Sequence, residues 1–157
     1  MCAIAGFLDY KENIKQKKVQ IDNMLKTMSR RGPDENGLYN QDNICLLHSR
    51  LIVVDPESGK QPMSMKTDNI DYTIVYNGEL YNTMEIQNEL KLKGYHFQGH
   101  SDTEVVLKAF VEWGKDCLQK FNGIFAFAVW DNKKQKLFLA RDRIGVKPLF
   151  FVKLPAG

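Results

Sequence analysis

An α+β fold, antiparallel sheets covered by helices, is what the sequence predicts, and three observations predict it. Strand-like segments outnumber helical ones, two helices follow one another closely in the middle of the chain, and short polar turns separate the last strands. Such turns suit antiparallel pairing, and adjacent helices suit a layer laid over a sheet better than crossovers between parallel strands. At 157 residues the chain is the usual size of one domain and long enough to bury a core without metals or crosslinks.

Taken in order, Ala3 to Leu8 is a short apolar run that predicts a buried strand. Val19 to Arg30 carries Ile21, Met24, Leu25 and Met28 at helical spacing before Gly32 and Pro33 stop it. Ahead of it, Lys15, Lys17 and Lys18 are expected in a solvated loop. Ile44 to Val54 predicts an extended segment, and Tyr72 to Tyr76 a strand ending in the turn pair Asn77-Gly78, with a polar loop between the two. Asn82 precedes Glu85 by three residues and Ser101 precedes Glu104 by three, a spacing that allows reciprocal capping at two helix starts. The second helix aligns Val105, Val106, Ala109, Phe110 and Trp113 for packing on a sheet and stops at Gly114. Phe121 to Trp130, Lys136 to Ala140 and Leu149 to Val152 predict a β-meander, its first turn at Asp131 to Gln135.

Composition excludes several functions. Apolar residues are 43% and charged residues 26% of the chain, as in ordinary globular proteins. The net charge of +3 comes from 22 basic and 19 acidic residues that are interspersed, so no concentrated field draws nucleic acid or a membrane surface. No apolar run approaches a bilayer span and no signal-peptide pattern opens the chain; a cytoplasmic location is expected. Cys2, Cys45 and Cys117 are odd in number and widely spaced, which fits neither a disulfide framework nor a metal site. Cys45 and Cys117 are expected to be small buried hydrophobes.

Cys2 is set apart by its position. A small residue after the initiator methionine allows Met1 to be trimmed, and a thiol that shares its residue with a free α-amine has a base built in. That amine titrates near pH 8 and can take the thiol proton directly or through a water. Cysteine at position two also occurs by chance, so further residues must agree.

They do. Met1-Cys2-Ala3-Ile4-Ala5-Gly6-Phe7 resembles the opening of class II glutamine amidotransferases, a branch of the N-terminal nucleophile hydrolases. Arg31-Gly32-Pro33-Asp34 with Gly37, His48-Ser49-Arg50-Leu51 with Val54-Asp55, and Gln61-Pro62 resemble blocks found in that order in glutamine-using asparagine synthetases. So do Asn77-Gly78-Glu79-Leu80-Tyr81-Asn82, Ser101-Asp102-Thr103-Glu104, Gly123 to Ala128 and Arg141 to Leu149. The resemblance covers nearly the whole chain. It implies a four-layer αββα sandwich and hydrolysis of free L-glutamine to glutamate and ammonia through a Cys2 thioester. It implies an oxyanion held by the Asn77 side-chain amide and the Gly78 backbone N–H; without the flanking Glu79 to Asn82, an Asn-Gly hairpin turn would explain that pair. Arg50 resembles the arginine that pairs with the glutamine α-carboxylate, a task for a planar two-pronged cation. Asp102 resembles the acid that receives the α-ammonium. Backbone groups around Val53 and Glu79 are implied to complete the pocket, no metal is implied, and His48 is expected to hydrogen-bond structurally, since the terminal amine already serves as base.

Two departures qualify the resemblance. Arg30 stands where these proteins often have histidine, and the sequence stops at Gly157 whereas the family continues with further strands and a synthetase domain that uses ATP, magnesium and aspartate. The expectation is therefore an incomplete glutaminase domain over residues 1–157. Its partner would be the C-terminal synthetase domain of the same chain, with ATP and magnesium bound only there. An open sheet edge would be a route to a homodimer or to aggregation. If Met1 stays attached, the Cys2 nitrogen is an amide and the domain a silent precursor. Two rival readings keep part of the resemblance: a non-catalytic glutamine-binding or regulatory domain, and the amidotransferase half of a related enzyme with another ammonia acceptor.

Overall fold

The structure is a computed structural model that describes residues 2–52, 59–67 and 70–153; Met1, Val53, Val54 and Asp55 lie outside them. Among the described residues, seven strands form two antiparallel sheets. One contains β1 (Ala3–Leu8), β2 (Glu35–Asn40) and β3 (Ile44–Arg50) in the order β1-β3-β2; the other contains β4 (Met63–Thr67), β5 (Ile70–Leu80), β6 (Gly123–Asp131) and β7 (Lys136–Arg141) in sequence order. The helices are α1 (Lys18–Met28), α2 (Thr83–Leu92), α3 (Asp102–Trp113) and the short α4 (Cys117–Lys120).

Side-chain alternation along the strands builds four layers, because successive residues face opposite sides of a sheet. On β3, Cys45 and Leu47 pack with Ala3, Ile21 and Met28 against α1. The intervening Ile44 and Leu46 meet Val75, Ala128 and Trp130 in the seam between the sheets. On the far side, Ile74 and Tyr76 of β5 and Phe125, Phe127 and Val129 of β6 pack under Leu90, Val106 and Ala109 of α2 and α3. The order is helix, sheet, sheet, helix, the αββα sandwich the resemblance implied. β3, β5 and β6 lie inside their sheets, and their apolar runs are correspondingly continuous.

Several expectations are corrected. Asn77 and Gly78 are not a turn but lie inside β5, paired with Ala126 and Phe125; their β-bonding neighbour overrides a local turn preference. Met63–Thr67, expected as loop, pairs with Ile70–Ile74, and β2, whose Gly and Asn residues hid it, pairs with β3 from Cys45 to Arg50. The expected Ile44–Val54 strand ends at Arg50, and Phe121 to Trp130 begins as a strand only at Gly123. Leu149 to Val152 forms no strand, since no described segment lies beside it to complete a ladder, and Phe150, Phe151 and Val152 are exposed. Lys15 and Lys18 are exposed as expected, but the stretch is not all loop: Ile14–Gln16 is a 3₁₀ turn, Lys18 opens α1, and Lys15 and Lys17 pair with Asp42 at 2.8 Å and Glu12 at 2.6 Å.

Neither capping box closes. Asn82 makes no cap bond, because its side chain accepts from the Asn122 amide and donates to the Lys120 carbonyl, tying α2 to the start of β6. Ser101 does cap α3 through the Thr103 amide. Glu104 turns away to the amides of Gln98 and Gly99 and to Lys108.

Candidate functional site

At one end of the sandwich the apolar seam gives way to polar side chains. Along β3 the seam-facing residues run Ile44, Leu46, His48, Arg50, and β1 places Ile4 opposite His48. Two residues before Ile4, just ahead of β1, Cys2 falls opposite Arg50 if the same register is continued, on the same face. From the other sheet, Asn77 and Glu79 share the face of seam residue Val75 and so point toward Cys2 and Arg50. The two sheets thus converge on a cavity of about 420 Å³ lined by Cys2, Arg50, Gln61, Asn77, Gly78, Glu79 and Asp102, with Lys147 at its wall. Six of the seven predicted site residues are gathered there; Val53 lies outside the described residues.

Arg50 is 5% exposed, and its guanidinium meets Glu35, its ladder partner, at 3.2 Å. The Arg31-Gly32-Pro33-Asp34 block braces this end of β3: the Asp34 amide donates to the Arg50 carbonyl, and the Asp34 carboxylate accepts from the Ile52 amide at 2.8 Å. Across the cavity, Asp102 opens α3. Its Oδ2 accepts from the Tyr76 hydroxyl at 3.2 Å and from the Leu80 amide at 2.9 Å. Burial, and then the Asp102 charge, push the Tyr76 phenol well above its ordinary pKa, so that it stays a donor. A cation on one wall and a carboxylate on another match the two end charges of a free amino acid.

Ladder geometry places the Gly78 amide. Successive residues of an antiparallel strand turn their N–H and C=O groups to alternate sides. The Tyr81 amide bonds back to Asn122 on the β6 side, while the Tyr76 and Leu80 amides bond to Gln61 and Asp102 on the opposite edge. Gly78 has the parity of Tyr76 and Leu80, so its N–H faces that edge too. β4 has already ended there, because its first residue, Met63, pairs with Ile74. A strand that outruns its neighbour thus turns a backbone donor into the cavity, beside the Asn77 side chain.

Cys2 is half-buried, and its thiol faces the Leu51 carbonyl at 3.7 Å. Cys45 and Cys117 are fully buried, and burial pushes their thiols up to about 11 and about 12, which leaves them inert at neutral pH. His48 is 1% exposed and held at about 4 by desolvation first and the Arg50 charge second, while a bond to the Tyr76 backbone opposes the shift. A neutral imidazole bridging the sheets fits the structural role expected of it.

The sequence did not single out Glu35, Tyr76 or Lys147. Lys147 lay in the quoted Arg141–Leu149 block, and Asp142 delivers it. The Asp142 carboxylate accepts from the amides of Lys147, Val146 and Phe125, folding the segment back over β6. Burial raises that carboxyl, but these amides together hold it below the usual range.

A larger depression of about 1040 Å³ lies between β4 and the loop at Lys93 to Gln98. Its buried ion pair, Lys108 with Glu104, is completed by the His96 carbonyl and the Gln98 and Gly99 amides, and it contains none of the predicted residues. Chemistry, not size, locates the site. Among the described residues no group of three or more His, Cys, Asp or Glu is placed to hold a metal, and no helix is long and apolar enough to cross a membrane.

Residues 1–157 match a family described as the glutamine amidotransferase domain. The chain is 49% identical to asparagine synthetase [glutamine-hydrolyzing] 3 of Bacillus subtilis, over 98% of this chain and 25% of that protein. It is 40% identical to a putative asparagine synthetase [glutamine-hydrolyzing] 2 of Methanocaldococcus jannaschii, over 96% and 32%, and 35% identical to asparagine synthetase B of Escherichia coli, over 96% and 25%. The chain thus spans a quarter to a third of the length of these relatives. Among solved structures, the glutamine phosphoribosylpyrophosphate amidotransferase from B. subtilis, complexed with ADP and GMP, aligns with a TM-score of 0.53 at 22% identity, over 64% of this chain and 24% of that one. An allosteric regulatory enzyme of purine biosynthesis aligns at 0.58 and 22%, over 68% and 25%. At that identity these two bear on the fold alone.

Proposed function

The chain belongs to the glutamine amidotransferase domain family, and we propose that it hydrolyses free L-glutamine with Cys2 as nucleophile and passes the ammonia to a synthetase domain of the same protein. One observation carries the reading: Cys2, an arginine, an aspartate, an asparagine side chain and an exposed backbone N–H from separate stretches of sequence line a single cavity.

Once Met1 is removed, the α-amine of Cys2 takes the thiol proton and the thiolate attacks the glutamine side-chain carbonyl, forming a C–S bond. The resulting oxyanion is held by the Asn77 amide and the Gly78 N–H, two preorganised donors each worth about 10²- to 10³-fold in rate. The protonated amine gives its proton to the departing nitrogen, the C–N bond breaks, and ammonia leaves a γ-glutamyl thioester. Water, deprotonated by the same amine, attacks the thioester, and glutamate departs as the thiol is restored. Arg50 binds the α-carboxylate and Asp102 the α-ammonium, which selects the free amino acid over glutamine inside a peptide.

The names of the relatives, glutamine-hydrolyzing asparagine synthetases, support aspartate as the final acceptor; ATP and magnesium used by the synthetase part and not in this cavity, and a cytoplasmic location, complete the proposal. Intact mass before and after incubation with 6-diazo-5-oxo-L-norleucine, beside a Cys2→Ala control, tests the central claim. The expected outcome is one adduct per methionine-free chain and none in the control. A folded, methionine-free chain that takes no label would leave the non-catalytic glutamine-binding reading in its place.

A further inference from the structure

Gln61 occupies the point where three layers meet. Continued one step beyond Met63↔Ile74 and Pro62, the register of β4 and β5 would set Gln61 opposite Tyr76. The backbone ladder does not continue. The Gln61 main chain instead lies against β2 of the other sheet, so close that a Cβ on Gly37 would collide with the Gln61 carbonyl oxygen. Its side chain replaces the lost ladder: Oε1 accepts from the Tyr76 amide at 2.6 Å, and Nε2 donates to the Thr103 hydroxyl at 3.1 Å. Those neighbours are strategic. Tyr76 precedes Asn77 and Gly78 on β5 and carries Asp102 on its hydroxyl, while Thr103, 3% exposed, follows Asp102 on α3.

We propose that the side-chain amide of Gln61 is a positioning group that fixes the oxyanion-binding edge of β5 and the ammonium-binding start of α3 relative to each other and to the sheet that carries Cys2 and Arg50. The assignment rests on the glutaminase reading above. An amide suits the task because it offers an acceptor and a donor on one rigid plane, and both partners are groups whose backbone neighbours face the cavity. The two bonds divide the labour. The Oε1 bond holds the strand edge on which the Gly78 N–H is two residues away, and so governs the chemical step; the Nε2 bond holds the turn of α3 that presents Asp102, and so governs binding.

The test uses the full-length protein with Gln61→Met, which keeps length and removes both bonds, Gln61→Glu, which accepts from both the Tyr76 amide and the Thr103 hydroxyl, and Thr103→Val, which removes only the Nε2 partner. Glutaminase rates are normalised to the fraction of chains that 6-diazo-5-oxo-L-norleucine labels at the end point. For Gln61→Met we expect full labelling with kcat per labelled site lower by about 10- to 100-fold, the scale of a misplacement near 1 Å, and substantial rescue by Gln61→Glu. Thr103→Val is expected to raise KM by about 10-fold, the scale of a weakened bond to a charged group, with kcat unchanged. A purely structural Gln61 would reduce the labelled fraction or the melting temperature and leave kcat per site at the wild-type value, and that result overturns the proposal. Should Gln61→Met not fold, an unchanged KM in Thr103→Val overturns it instead. A wild-type protein that neither labels nor hydrolyses glutamine would sink the glutaminase reading and this proposal with it, a failure distinct from wild-type activity with indifferent variants.

Discussion

His48 shows how one buried side chain can join the two halves of a site without taking part in its chemistry. Its Nε2 is buried with no hydrogen-bond partner among the described residues, which leaves Nδ1 as the nitrogen that faces the Tyr76 backbone. Desolvation, with Arg50 adding to it, holds the folded-state pKa at about 4, below the ordinary value near 6.5. The unfolded chain therefore binds a proton that the native state refuses, and the stability due to His48 is fully present above pH 6.5 and lost as pH falls toward 4. At about 1.4 kcal/mol per pH unit across that window, the loss approaches roughly 3 kcal/mol at pH 4. The amide introduced by His48→Gln would still donate to the Tyr76 backbone and would not titrate. Urea unfolding from pH 7.5 to 4.5 should show wild type losing stability faster than His48→Gln as acid is added, and parallel profiles would remove His48 from the account.

Among the elements, β5 contributes the most residues of the proposed site, and its length is the reason. Eleven residues long, it outruns β4 and presents Asn77, Gly78 and Glu79 at a free edge while still laddered to β6. Gly78 is held tightly: a Cβ there would meet the Ile124 carbonyl oxygen at 2.5 Å and the Phe125 Cβ at 2.7 Å. Gly78→Ala must push β5 off β6 and carry both of the proposed oxyanion donors with it. We expect at least about a 10²-fold fall in kcat and about 1–3 kcal/mol of destabilisation; a variant with a normal urea midpoint and normal kcat would show the pairing to be looser than drawn. This strand also marks the limit of what could be read from sequence. The apolar alternation of Tyr72 to Tyr76 and the stripe on α3 were legible because packing periodicity writes them directly. Asn77-Gly78 was not, because the pair has the local chemistry of a turn and only the facing residues of β6 keep it extended. β2 and β4 were hidden likewise, being edge strands with partly exposed, polar sequences. Cys2, Arg50 and Asp102 were legible through their motif blocks; Gln61 stood in such a block too, but its side-chain bonds to the Tyr76 amide and the Thr103 hydroxyl depend on a meeting of layers that no local pattern records.

Across the whole molecule the cavity is a joint. One sheet contributes Cys2 and Arg50, the other contributes Asn77, Gly78 and Glu79, and the outer helical layer contributes Asp102. The apolar seam of Ile44, Leu46, Val75, Ala128 and Trp130 holds the sheets together elsewhere, but at this end the contacts are polar and the span is open. A ligand that bridges Arg50 and Asp102 closes it and binds only the folded state, so it should stabilise all layers at once. At a concentration a hundredfold above its dissociation constant such a ligand contributes about 2.7 kcal/mol. For a domain of this size that is a rise in melting temperature of roughly 5–10 °C, at about 2–4 °C per kcal/mol. Cys2→Ala removes the proposed nucleophile and so allows the measurement with L-glutamine itself. Nα-acetyl-glutamine keeps the carboxylate and the side-chain amide but has no ammonium for Asp102, and should shift the transition far less. Equal shifts from the two compounds would show that Asp102 does not read the substrate's amino group, and the clamp would then have to be rebuilt around Arg50 alone. A shift from glutamine that disappears in Asp102→Asn while the Arg50–Glu35 pair stays intact would establish the two-ended grip across the joint.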